Sequence, residues 1–550
     1  MPSKTPLHFS RPWPSHPIDA MAIPRISFRD LRSVSDVMSS SPLSTLAGLV
    51  GCIFILAHLL RRRTSLNPNI QHYQWDTSAL GSPKKRWMWD SLRLLREGYK
   101  QFYGKPWRVW TSEGDHIVLS PAAVNELKML PDHTLPSSLR EFMLPQYTFK
   151  PFAPWKLDWV NHVILHDLNK NMTKIFPVMR DEVDVALSIE LPISNDWAEI
   201  DISTQILRVI CRVSGRAFVG TGLHRNEEWI NISCNYTKDL FLAALKLRAV
   251  PSIVRPILAL FLPDLRRVYQ HNDRARALVQ PILQQREQNE KACAEYTKPN
   301  DTIQWVHDLI PKEDKKDYAY QGAAQLAITA VSVQSTSKLI VNVLLNLMKY
   351  AEYAPVLKEE IEAVLAESGG VWTLESMARL EKLDSFMRES LRFEPPLTAT
   401  FQRRALKPLK LADGTGIPSG ALVLAPADAI AFDPNFYPDP ERFDGLRFYK
   451  LRQQADETGN GSTAKVQVGS KVRHQFVATS KTQVQFGLGR HACPGRWFAG
   501  HVIKMVVAAV LLDYDLKFRD GEEKRKTFLF QTTNMPDPKT RVLMRMRRKA

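Results

Sequence analysis

Cysteine is scarce in this 550-residue chain, which has five: Cys52, Cys211, Cys234, Cys293 and Cys493. None belongs to a Cys-x-x-Cys pair, and an odd number without paired spacing argues against a disulfide framework or a zinc site. That usage fits a body facing a reducing cytosol, so the sequons at Asn231 and Asn235 are expected to stay unglycosylated. No period of roughly 20–50 residues repeats, which removes solenoids and propellers. Zinc-finger spacing and aromatic–basic RNA motifs are also missing. The excess of 74 Lys and Arg over 57 Asp and Glu therefore does not read as a nucleic-acid surface. A net charge of +17 suits an anionic membrane or an acidic protein partner instead.

What is present divides the chain unevenly. Residues 1–42 are polar and rich in proline, and read as disordered. Leu43 to Leu60 carries no formal charge; as a helix it would span roughly 27 Å, close to the hydrocarbon core of a bilayer. Arg61, Arg62 and Arg63 follow directly, which favours a single membrane anchor with the body on the cytosolic side. Residues 61–84 form a linker. From about 85 to 550 the pattern is that of one large domain, mainly α with small β sheets. Helical periodicity runs through Lys349–Glu367 and Leu374–Arg392, and strand-like pieces bounded by turns occur near 407–425 and 527–547. Residues 453–470 read as a surface insertion. The segment Lys238–Arg267, apolar but interrupted by Pro251 and Pro256, reads either as two core helices joined by a loop or as an amphipathic, membrane-dipping entrance.

The strongest local signal is the run from Phe486 to Arg496, FGLGRHACPGR. Its glycines permit a backbone turn close to a flat object. Cys493 precedes Pro494, a residue preferred at a first helical position, and an apolar helix follows. The sulfur is thus expected at a helix N-terminus, where free amides stabilise a thiolate.

This run resembles the haem-binding loop of the cytochrome P450 family, FxxGxRxCxG, with Phe486, Gly489, Cys493 and Gly495 matching. His491 stands where the family carries a propionate-binding Arg. Glu389-Ser-Leu-Arg392 resembles the family's ExxR motif and Pro440-Glu-Arg-Phe443 its PxRF element, implying a structural cluster of Glu389, Arg392 and Arg442. Arg403 and Arg404 fall where the family places a further propionate contact. The oxygen-side helix is matched by Val331-Ser-Val-Gln-Ser-Thr336, with Gln334 in place of an acid and Ser335 in place of the first Thr; Gln334, Ser335 and Thr336 are the implied catalytic positions. Closer matches in 441–449, 474–477 and 535–538 resemble the fungal branch of ent-kaurene oxidases and other terpenoid hydroxylases.

The resemblance implies a P450 fold and haem b with Cys493 as axial ligand of its iron. Electrons would come from NADPH through a separate cytochrome P450 reductase, with cytochrome b5 as a second candidate donor, since no flavin- or nucleotide-binding segment is visible. It also implies an endoplasmic-reticulum location and a small apolar polycyclic substrate, a terpenoid or hybrid terpenoid, lined by 327–335, 397–402 and 532–534. The altered Gln334–Ser335 pair leaves a rival: a haem-thiolate isomerase or dehydratase that needs no reductase.

Overall fold

The computed structural model describes residues 69–74, 82–149, 158–457, 472–521 and 527–547. The expected anchor at Leu43–Leu60, the segment before it and most of the linker lie outside these, as does most of the expected surface insertion.

The longer helices are α1 (Pro83–Gln101), α2 (Met172–Glu190), α3 (Ile202–Phe218), α4 (Glu227–Ala249), α5 (Pro263–Ala292), α6 (Tyr318–Lys349), α7 (Tyr353–Glu367), α8 (Glu381–Phe393), α9 (Arg447–Glu457) and α10 (Arg496–Asp513). The starts of α1, α3, α4 and α6 carry caps, in which a side-chain oxygen accepts from an otherwise orphaned amide. Asp201 accepts from Thr204 N at 3.1 Å, Asn226 from Trp229 N at 3.0 Å and Asp317 from Tyr320 N at 2.9 Å. In α1, Ser82 caps and Pro83 occupies the first turn, where its missing N–H costs nothing.

Helix α6 is the axis of the domain, packed against α3, α4, α5, α8 and α10. It is long and apolar enough to cross a membrane, but 67% of its apolar window is buried inside the protein, which makes it a core helix. Burial surrounds the Leu339–Leu345 stretch and is interrupted earlier, at Val331 and Ser335, both exposed. A helix apolar on every side belongs inside, and the interruption marks where protein atoms stop covering it.

Four small sheets flank the helices. β1 (Trp107–Thr111), β2 (Gly114–Val118), β7 (Leu422–Ala425) and β4 (Thr400–Arg404) form one in that order, with β2 and β7 parallel. β3 (Ala198–Ile200), β11 (Val542–Met546) and β8 (Tyr514–Phe518) form the second. β9 (Thr527–Phe530) pairs with β10 (Thr533–Pro536), and β5 (Leu409–Lys410) with β6 (Gly416–Ile417).

The periodic segments hold with corrected ends. The 349–367 pattern divides between the last residue of α6 and α7, and 374–392 breaks at Leu380 into Leu374–Arg379 and α8. Helix α9 runs on to Glu457, so the first residues of the expected insertion are helical. Between α4 and α5 lies a short helix, Arg255–Phe261, with no buried residue; Ile257, Leu260 and Phe261 are exposed. Pro251 ends the chain's run from α4, and Pro256 starts this helix rather than breaking one. A pair of core helices with a plain loop is therefore not what forms.

Candidate active site

The cysteine loop is built from two left-handed glycines and one capping glycine. Gly487 (φ 72°) and Gly489 (φ 69°) adopt a conformation that L side chains resist. At Gly489 a Cβ would also collide with the Lys128 carbonyl, and Arg490 N donates to that same oxygen at 3.0 Å. The close approach seen at Gly489 is to the chain's own backbone at Lys128. Gly495 is different: its φ is ordinary (−88°), and among the described residues only Ile164 Cγ2, 3.8 Å off, would meet a Cβ.

Cys493 N donates to Phe486 O at 2.7 Å, closing the loop, and the Phe486 ring stands edge-on to Phe476 at 5.4 Å. Helix α10 begins at Arg496 with Gly495 as its cap, so Pro494 precedes the helix instead of opening it. Burial pushes the Cys493 thiol up; the backbone amides of Gly495 and Arg496 and the Arg496 guanidinium act against that. The sulfur therefore sits where the expected amides converge, with burial as the larger influence.

Arg403 and His491 come together beside this loop. Strand β4 carries a bulge between Thr400 and Arg403, and Phe401 within it is left-handed (φ 52°). A bulge re-aims the residues that follow it. Arg403 is 5% exposed, its guanidinium lies 5.0 Å from the Phe401 ring centroid, and its Nε has no hydrogen-bond partner among the described residues. Burial lowers its pKa to about 10. His491 Nε2 is 2.7 Å from Asp132 Oδ1; burial, then the Arg403 charge, lower its pKa, so the imidazole is neutral at pH 7. Arg404 is committed elsewhere, to Glu141 at 2.8 Å and to Gly420 O at 3.0 Å.

The Glu389–Arg392 pair forms inside α8, fully buried, with two bonds of 2.8 Å. Arg392 Nη1 also donates to Ala431 O and Pro440 O. The expected third member is displaced. Arg442 is exposed, and Arg447 reaches Glu389 Oε1 at 3.2 Å while donating to Pro438, Asp439 and Arg442 carbonyls. Asp444 N adds a bond of 3.0 Å to the same carboxylate. Within PERF it is Phe443 that is buried, stacked on Tyr350 at 4.3 Å. The substitution of Arg447 for Arg442 follows from the turn at Asp439 (φ 46°), after which the chain folds back before α9.

On α6, the three expected catalytic positions separate. Ser335 is exposed, its hydroxyl donating back to Val331 O at 3.2 Å. Thr336 is 4% exposed and turned into the core. Gln334 Nε2 donates to Cys234 O at 3.1 Å, pinning α6 to α4. Further along the same face, Asn342 Nδ2 donates to Glu394 O at 3.2 Å, and an isolated bridge joins Leu397 to Thr533 while Thr398 N donates to Thr532 O at 2.8 Å. Helix α6 packs on β10, and Val331 of α6 and Leu397 ahead of β4 are both exposed.

Several supporting residues were not visible in the sequence. Asp384 in α8 bonds Phe476 N (2.8 Å), Lys504 of α10 (3.0 Å) and Arg452 of α9, tying the helix under the cysteine loop to its surroundings. Lys338, one turn beyond Ser335, has no polar partner among the described residues, and burial lowers its pKa. Asp384 lies only five residues before Glu389, but nothing in its spacing marked it.

A cysteine just before a buried helix, beside an arginine whose buried Nε has no partner among the described residues, makes up the candidate site. The family model for cytochrome P450 matches residues 92–544. The chain belongs to the cytochrome P450 family. It is 33% identical to the cytochrome P450 monooxygenase BOA4 of Botryotinia fuckeliana, over 95% of this chain and 99% of that protein. It is 32% identical to the monooxygenase braC of Annulohypoxylon truncatum (91% and 96%) and 28% identical to ent-kaurene oxidase P450-4 of Gibberella fujikuroi (90% and 95%). The retinoic acid-bound cyanobacterial CYP120A1 shares the fold, with a TM-score of 0.61 at 18% identity over 88% of this chain and all of that one. This protein is a haem-thiolate monooxygenase, an oxidoreductase whose electrons come from a reductase.

Proposed function

We propose that this monooxygenase oxidises an apolar polycyclic substrate, a terpenoid or hybrid terpenoid of secondary metabolism, while anchored by Leu43–Leu60 in the endoplasmic reticulum membrane. The observation that carries the reading is the exposed apolar surface at Val331, one turn before the Ser335 hydroxyl that donates to its carbonyl, in a helix largely closed by protein. Such a surface suits a ligand without charge. The name ent-kaurene oxidase among the relatives supports a terpenoid.

The residues fit haem by two features. Arg403 Nε is a buried donor without a partner, as a propionate carboxylate would need, and Gly495 leaves an open face beside the sulfur. Haem bound through a thiolate supplies oxygen activation, the sulfur favouring O–O cleavage. Cys493 would hold its iron through the thiolate, with Phe486 and Gly489 shaping the loop. Arg403 would hold one propionate, with neutral His491 as a further donor. Ser335 would hold a water or pass a proton at its Oγ, and Gln334 would fix the register of α6 through Cys234. Electrons would come from NADPH-cytochrome P450 reductase, with cytochrome b5 as a second donor. The exposed Ile257, Leu260 and Phe261 would rest on the bilayer surface.

Reduced protein under carbon monoxide should show the Soret band of thiolate ligation; Cys493→Ala should remove it and Cys211→Ala should not. Membranes supplied with reductase, NADPH and candidate diterpenes should yield oxygenated product. Product formed equally well without NADPH would instead support the isomerase or dehydratase reading.

A further inference from the structure

Cys211 of α3 and Cys234 of α4 meet with their sulfurs 3.2 Å apart, although nothing in their sequence spacing pairs them. The two thiols are not equivalent. Cys211 is 1% exposed, whereas Cys234 is half-buried. Around them stand the guanidinium groups of Arg208 and Arg212, each held by Glu190 at 2.7 Å and shared with Glu227. Contact with Cys211, followed by the nearby arginines, holds the Cys234 thiol below its usual value, while its partner is pushed up by that contact and by burial.

We propose that Cys211 and Cys234 form a modification site, a dithiol that hydrogen peroxide converts to an interhelical disulfide. Peroxide is the two-electron by-product when a haem-thiolate monooxygenase consumes oxygen without oxidising substrate, so its source is the enzyme itself. Cys234, the more accessible and more acidic thiol, attacks one peroxide oxygen as thiolate. An S–O bond forms, the O–O bond breaks, and the departing hydroxide takes a proton to leave as water. Cys211, after losing its proton, attacks the Cys234 sulfur. The S–S bond forms, the S–O bond breaks, and a second water leaves. Two thiols and one peroxide thus give one disulfide and two waters, the sulfurs losing the two electrons that peroxide gains.

The sulfurs need to close by only about 1.2 Å to reach the S–S bond length of ~2.05 Å. Closure draws on α4 at the residue whose carbonyl accepts from Gln334 of α6. Oxidation at this pair is therefore transmitted to the helix that carries Ser335.

The test uses the full-length holoprotein in membranes, treated with graded hydrogen peroxide, blocked with an alkylating reagent under denaturing conditions and digested without reductant. The expected dominant product is one linked peptide pair containing Cys211 and Cys234, reversed by dithiothreitol. Exposed Cys293 has no sulfur partner among the described residues and serves as an internal reference for peroxide exposure. In Cys211→Ala the expected product is Cys234 sulfinic acid, because the resolving thiol is gone. If Cys211 and Cys234 are both recovered as alkylated thiols at peroxide levels that fully oxidise Cys293, the proposal is overturned. Recovery of Cys234 sulfinic acid from the unsubstituted protein overturns it equally. Neither result bears on thiolate ligation, which the carbon monoxide band reports separately.

Discussion

Glu389 is shared by two arginines, Arg392 from its own helix and Arg447 from the start of α9, and both are held within 3.2 Å. A buried carboxylate of this kind is tolerable only while its lone pairs are filled. Arg447→Ala removes one partner and takes away the guanidinium donor to the Pro438 and Arg442 carbonyls. It should cost about 2 kcal/mol, the scale of a hydrogen bond to a charged group. Arg442→Ala, at an exposed position, should stay within ~0.5 kcal/mol. Chemical denaturation of the two variants side by side decides between Arg447 and Arg442.

The contact between Gln334 and the Cys234 carbonyl makes a prediction opposite to a simple restoration of the family acid. In Gln334→Glu a carboxylate oxygen would face that carbonyl oxygen in place of a donor. The variant should lose ~1–3 kcal/mol of stability, the penalty for a buried acceptor left unsatisfied, and should gain no turnover. Ser335→Ala should instead keep its stability and its carbon monoxide band while a larger share of consumed oxygen appears as peroxide. Thermal melts and product-to-peroxide ratios measure these outcomes.

His491 offers a gain-of-function test. Its imidazole is neutral at pH 7 because burial and Arg403 both oppose its protonation. His491→Arg installs a fixed charge, and a charge-assisted bond worth ~1.5 kcal/mol or more corresponds to roughly tenfold slower haem transfer to an acceptor. His491→Ala should accelerate that transfer. Equal rates for all three proteins would remove His491 from the propionate site.

Asp384 sets the acid limit of the fold beneath the cysteine loop. Burial alone would raise its pKa, yet Lys504 and Arg452 together bring it from 3.8 down to about 2. Because the folded value is the lower one, the stabilisation is complete above pH ~4, in the unfolded carboxylate's range, and is lost as pH falls toward 2. The shift corresponds to about 2 kcal/mol. Asp384→Asn should flatten this part of the acid-unfolding curve and should also destabilise at neutral pH, where Lys504 and Arg452 would lose their counter-charge.

Features set by local sequence were legible. The cysteine loop, the ExxR helix and the division into helices and small sheets follow from glycine, proline and periodicity, which act over a few residues. What was not legible depends on chain reversal. The third arginine moved from 442 to 447 because the turn at Asp439 decides which side chain folds back onto Glu389. Arg403 and Arg404 were indistinguishable as neighbours until the bulge at Phe401 sent one inward and the other to Glu141. Thr336 and Ser335 look equally placed in a motif, yet adjacent residues on a helix point about 100° apart, and only one faces away from the core. The Cys211–Cys234 approach has no sequence signature, since it arises from the crossing of two helices.

The seat of Gly489 against the Lys128 carbonyl bears on how the protein is made. The cysteine loop owes one wall to a segment near the beginning of the domain, while the loop itself lies close to the end. During synthesis the early segment leaves the ribosome well before its counterpart. Contacts so distant along the chain form late and slowly. Closing the cysteine loop on that wall therefore joins two parts of the chain made far apart in time.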